Sequence, residues 1–100
     1  MKNLYELQTR YDSRASFYGK AQVSEEVKRQ KGVVYVVSEL YSYGTLVARA
    51  TKNEETCLTT YEYLGQYSQT TTRHQKEFFR QLGLSDAEIK ELFKKGTMEA

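Results

Sequence analysis

The chain changes character once, and that change does most to limit what it folds into. Up to about Leu64 it is rich in Tyr, Val, Thr and Leu in short runs, a composition suited to pleated, half-buried strands; after Tyr67 it turns to helix formers and charged residues. Sheet first and helices second is the order this predicts. No Pro, Gly/Ser-rich linker or internal repeat divides the chain, and 100 residues leave no room for a second core. The expectation is one domain over residues 1–100, with a sheet region at 1–66, a helical hairpin at 67–96 and a frayed tail at 97–100.

Strands are expected at Leu4–Arg10, Phe17–Ser24, Val33–Tyr43, Leu46–Thr51 and Cys57–Leu64. Gly44, between Tyr43 and Leu46, is a cheap place for positive φ, so the third and fourth strands form a tight hairpin. Lys52-Asn53-Glu54-Glu55 reads as a second polar turn with Asn53 available for the left-handed region. Strands joined by such short turns are antiparallel, because parallel neighbours need a crossover of about a dozen residues. The charged, non-periodic stretch Glu25–Lys31 reads as a loop.

The last third carries clearer signals. Ser68–Thr72 is a run of capping residues ahead of a helix whose stripe is His74, Phe78 and Leu82, and Gly83 stops it. Ser85-Asp86-Ala87-Glu88 is a capping box, with Leu84 and Ile89 as its hydrophobic staple. The second helix starts at Asp86, turns Ile89, Leu92 and Phe93 inward and ends at Gly96. The fold class is therefore α+β: an antiparallel sheet of four or five strands with a C-terminal helical hairpin packed on one face.

Composition narrows function by exclusion. Fifteen basic against thirteen acidic side chains leave a net charge of +2, well below that of a polybasic nucleic-acid coat. The single Cys57 forms no intramolecular disulfide, and no apolar run approaches the roughly 18 residues of a membrane span. A cytoplasmic protein is expected. One His, one Cys and two Asp are a thin kit for catalysis, so the expectation is a binding protein, not an enzyme, with no catalytic residue, metal site or cofactor.

Several constellations carry chemistry. The paired helices resemble a helix-turn-helix, yet Asp86, Glu88 and Glu91 on the second would be aimed at phosphates, which favours a plain helical hairpin. Ser68, Thr70, Thr71 and Thr72 crowd a helix start beside Arg73, His74 and Lys76, a setting for an anion. The plainer reading has one hydroxyl as the cap and Arg73 paired with Asp12 or Glu62. His74, on the apolar stripe, reads as a hydrogen-bonded core histidine. Arg10, Arg14 and Lys20, interleaved with Tyr11, Phe17 and Tyr18, would join Arg73 and Arg80 in one basic ridge if the helix packs beside that strand, as single-strand nucleic-acid platforms require. Nine tyrosines are more than a small core absorbs, and exposed tyrosines on a rigid sheet suit a protein partner.

Three stretches, Thr9–Val23, Leu40–Ala50 and Tyr67–Leu84, resemble a family of short uncharacterised proteins carried by phages and integrative elements of Gram-positive bacteria. The resemblance implies a mobile-element origin and, from that setting, an anti-CRISPR protein acting on a type II RNA-guided nuclease; it assigns no functional residues. Two mechanisms are open: occlusion, with carboxylates and a tyrosine lying where nucleic acid should lie and Glu54, Glu55, Tyr61, Glu62, Glu88 and Glu91 as candidates, and steric or allosteric inhibition, which the lack of a strongly acidic net charge keeps level with it. The alternative is a nucleic-acid-binding accessory protein using Arg10, Arg14, Lys20, Arg73 and Lys76. An acidic or tyrosine-rich sheet surface favours the first reading and a basic one the second.

Overall fold

The computed structural model describes residues 2–100. Six strands follow one another as β1 (Lys2–Glu6), β2 (Ala21–Gln30), β3 (Val33–Ser42), β4 (Thr45–Asn53), β5 (Thr59–Tyr63) and β6 (Thr97–Glu99), with α1 (Gln69–Gln81) and α2 (Asp86–Lys95) between the last two. Their order in the sheet is their order in the chain, and every pair is antiparallel. Both helices lie on one face. The α+β class and the helical hairpin match the sequence reading, but the sheet has six strands rather than four or five.

The sixth strand corrects the expected frayed tail. Gly96 ends α2 at φ 84, a left-handed turn that glycine adopts without steric cost, and sends the chain back along β5. Thr59 and Ala100 then exchange backbone hydrogen bonds at 2.8 and 2.9 Å, and Met98 packs on the core. The charged stretch Glu25–Lys31 is corrected too: β2 runs on to Gln30 and pairs with Val33–Val37 across a Lys31–Gly32 turn. Its charges mark exposure, and Val33–Val37 opposite supply the strand partner. At the Asn53 turn the side chain does the work, its Oδ1 accepting from Glu55 N and Thr56 N, while Cys57 takes the positive φ.

Alternation along the paired strands turns Ala21, Val23, Leu40, Ala48, Ala50 and Tyr61 toward the helices. A bulge between Leu40 and Tyr41 also tucks Val47 inward at 1 % exposure. From above, α1 contributes Thr71, His74, Gln75, Phe78 and Phe79, and α2 contributes Ile89 and Leu92. Phe79, fully buried, meets Tyr61, Phe78 and Phe93 edge-on. Gln75 Nε2 donates to Val47 O at 2.9 Å and Gly65 O at 3.0 Å, tying α1 to the bulged strand. Leu82, expected on the buried stripe, is the helix C-cap and is 39 % exposed. Phe93 is half-buried and stacks on Tyr63 with centroids 4.2 Å apart. The predicted caps are present: Ser68 Oγ accepts from Thr71 N, and Ser85 with Glu88 closes the capping box.

Candidate functional site

With the helices on one side, the other side of the sheet is uncovered. The pairing places Glu39 of β3, Arg49 of β4 and Glu62 of β5 directly opposite one another across three central strands. Arg49 Nε donates to Glu39 Oε2 at 3.0 Å and Nη1 to Glu62 Oε2 at 3.5 Å. Partial burial works against the guanidinium's charge, but the Glu39 hydrogen bond and the two carboxylates outweigh it and hold Arg49 protonated. One cation between two anions leaves the ladder net negative. Tyr41 stands beside it, its hydroxyl 3.5 Å from Glu39 Oε1.

The sign extends over the whole face. By alternation and register Glu6, Glu26 and Glu99 lie on the same side as Glu39 and Glu62, together with Tyr35 and Tyr41. Among the described side chains this face holds Lys28 and Arg49, and Lys20 borders it beside Gln22 and Tyr41, so the carboxylates still outnumber the cations. A molecule of net charge +2 thus carries an acidic sheet face, and the excess of positive charge lies elsewhere.

The six residues expected to form the acidic patch do not come together. Glu62 lies in the ladder. Tyr61, its neighbour in β5, points the opposite way into the core and is 7 % exposed, since adjacent strand residues face opposite sides. Glu54 and Glu55 are in the turn after β4. Glu88 and Glu91 ride on α2 in the other layer, where Glu91 pairs with Lys95 and Glu88 closes the cap. The Ser85 N–H holds the Glu88 carboxyl below its usual range. Sequence reasoning missed Glu39 and Tyr41; Ser38-Glu39-Leu40-Tyr41-Ser42, alternating buried and accessible, was the signal that would have found them.

The basic set is also divided. Arg73, Lys76 and Arg80 line one depression on α1 with Tyr11, Asp12, Glu77 and Asp86. Glu77 is 2 % exposed and accepts from Tyr11 N and Asp12 N at 2.9 and 2.8 Å, which docks the loop on the helix. Arg73 pairs with Asp12 at 3.2 Å, one of its two expected carboxylates. Arg80 pairs with Asp86 at 2.6 Å and lies 4.7 Å over the Tyr11 ring. Two of the three cations are therefore neutralised in place. Arg14 is exposed in the same loop, Arg10 borders a depression with Tyr5 and Glu25, and Lys20 borders another with Tyr41 and Tyr43, so the five residues form no single ridge.

The hydroxyl-rich helix start is engaged internally. Ser42 Oγ lies 2.9 Å from Thr71 Oγ1 and 2.8 Å from His74 Nδ1, and all three residues are buried. Phe17 covers the imidazole with centroids 4.4 Å apart. His74 is the core histidine expected from its stripe. Burial pushes its pKa down; the Asp12 carboxylate opposes this and the Arg14 charge adds to it. Between the lowered folded value and the unfolded value near 6.5 the unfolded chain binds the extra proton, so stability is full above about pH 6.5 and falls as pH drops below it, by at most about 1.4 kcal/mol per pH unit. Urea melts at pH 7.5 and 5.5 are expected to show this loss in the wild type, with a smaller loss in His74→Gln.

Among the described residues no three His, Cys, Asp or Glu side chains converge as a metal site would, and no helix is long and apolar enough to cross a membrane. By architecture this is a two-layer α+β domain, a six-stranded meander under a helical hairpin. Residues 5–95 match a family of unknown function, DUF8033, and the chain belongs to that family. No curated protein and no solved structure matches it.

Proposed function

We propose that this protein is a small mobile-element-encoded binding module, an anti-CRISPR inhibitor that seats the uncovered face of its sheet on a type II RNA-guided nuclease in the host bacterial cytoplasm and blocks it stoichiometrically. One observation carries the reading: five carboxylates and two tyrosines share a strand-built face on which the described cations are three, Lys20, Lys28 and Arg49. Such nucleases grip their heteroduplex and read the adjacent motif through Arg- and Lys-rich channels, so an acidic face is complementary to the surface that nucleic acid occupies. Tyr35 and Tyr41 add contact area at low cost in side-chain entropy. The mobile-element resemblance selects the nuclease as the target; inhibition follows from occupancy, without turnover of the partner.

The test uses one preparation. The protein is expected to co-elute with a susceptible type II nuclease at moderate salt and to stop target cleavage at equimolar, not catalytic, ratios. No inhibition across a panel of type II nucleases, together with retention of DNA or RNA that Arg10→Ala with Arg73→Ala abolishes, would replace this reading with the nucleic-acid-binding alternative.

A further inference from the structure

The two edges of the sheet are not alike. β6 is blunted by its length of three residues, whereas β1 has five, carries neither Pro nor bulge, and has no strand or helix along its outer side among the described residues. Asn3, Leu4, Tyr5 and Glu6 are all exposed, and Leu4, at the middle of the strand, is 65 % exposed. The loop that follows leaves this edge open: Gln81 Nε2 donates to Gln8 O, and Glu77 accepts from Tyr11 N and Asp12 N, which carries the chain onto α1.

Which backbone groups face outward follows from the pairing. Leu7 N donates to Ala21 O at 2.9 Å, so the peptide groups of Leu7, Tyr5 and Asn3 turn toward β2, and those of Lys2, Leu4 and Glu6 turn away from it. These three are symmetric about Leu4. A second β1 laid antiparallel in that register sets Leu4 against Leu4 of its partner and Lys2 against Glu6 at both ends. Every such pair is of the hydrogen-bonded kind and uses the free groups, and the residues set opposite each other are apolar at the centre and opposite in charge at the ends. A slip of one residue would oppose outward groups to inward ones; a slip of two would leave a charge facing a leucine. Glu6 is held at this edge by Gly19 N, which donates to its Oε1 at 2.9 Å. In register, Lys2 would lie between Glu26 of its own β2 and Glu6 of the partner copy, the same order of cation between carboxylates as Glu39–Arg49–Glu62.

We propose that β1 is a dimerisation edge, at which two copies of this chain join β1 to β1 antiparallel about Leu4 and the two six-stranded sheets become one. The contact is isologous, each copy supplying the same strand, and it keeps both acidic faces on one side of the joined sheet. The inference goes beyond the inhibitor reading and stands without it.

Sedimentation velocity of the protein alone over a concentration series reads the assembly. Wild type is expected to pass from 11.7 kDa to twice that mass as concentration rises through the micromolar range, with the Leu4 and Glu6 amides exchanging hydrogen more slowly in the dimer. Leu4→Lys opposes two like charges at the centre and is expected to raise the dimer dissociation constant at least about ten-fold, while its melting temperature in the dilute, monomeric range matches wild type because Leu4 is exposed. Lys2→Glu and Glu6→Lys, each of which creates like-charge pairs at both ends, are expected to weaken the dimer, and Lys2→Glu/Glu6→Lys to restore it to within about three-fold of wild type. A wild type that stays monomeric to about 1 mM, a dimer that Leu4→Lys leaves intact, or one whose Leu4 and Glu6 amides exchange as in the monomer would overturn the proposal.

Discussion

Phe79→Ala is expected to destabilise the fold by about 3–5 kcal/mol, while Leu82→Ala, three residues along the same helix, is expected to cost under about 1 kcal/mol. Phe79 is fully buried where the two layers meet, in edge contact with Tyr61 from the sheet, Phe78 from its own helix and Phe93 from the next. Truncation there opens a cavity between layers that neither helix can collapse into alone, since α1 is held over the sheet by Gln75 and α2 by Leu92. Domains of this size are stable by roughly 5–15 kcal/mol, so the loss removes a large share of the total. At about 4–8 °C per kcal/mol, the melting temperature should fall by at least about 12 °C. Denaturant melts of the two variants check this; equal losses would mean that the stripe runs through Leu82 after all.

The contrast between those two residues shows where sequence reading works. Spacing identified both helices, their caps and Phe78, because helix ends are written in local chemistry that acts within one turn: Ser68, Gly83, Ser85 and Gly96 each sit where their conformational preference is used. Which side of a helix faces the sheet depends on the partner layer, which local chemistry does not encode, so Phe79 and Gln75 went unassigned and Leu82 was placed inside. Strand β6 was hidden for a similar reason. Thr97-Met98-Glu99 is too short to declare itself and becomes a strand only because Gly96 returns it to an edge that β5 leaves unpaired. The charged half of β2 looked like a loop because no core face shows in it; its strand character comes from Val33–Val37 across the turn.

The site was less legible than the fold. Residue type along the chain does not separate Glu62 of the sheet from Glu88 and Glu91 of a helix on the opposite layer, nor accessible tyrosines from the buried Tyr61. The ladder Glu39–Arg49–Glu62 joins residues from three strands, and its register depends on the turn at Tyr43–Gly44 and on the bulge beside Leu40. That Arg73 pairs with a carboxylate was legible, with Asp12 and Glu62 both open; the choice of Asp12 follows from Glu77, which docks that loop on the helix.

Glu39→Gln with Glu62→Gln is expected to weaken binding to a susceptible type II nuclease by at least about 30-fold, the lower end of what loss of interfacial charge pairs costs. The two amides keep the shape of the ladder and change only its sign, leaving Arg49 as an uncompensated cation on the face proposed to meet a basic channel. Stability should change by no more than about 1 kcal/mol, because these ion pairs are partly solvated, so lost binding would not be lost folding. Arg73→Ala/Lys76→Ala alters an equal number of charges on the helix layer and is expected to bind like wild type. The deciding measurement is the dissociation constant of wild type and both variants against one inhibited nuclease at fixed salt. The account predicts that only Glu39→Gln/Glu62→Gln loses affinity; wild-type binding by that variant, with loss in Arg73→Ala/Lys76→Ala, would contradict it.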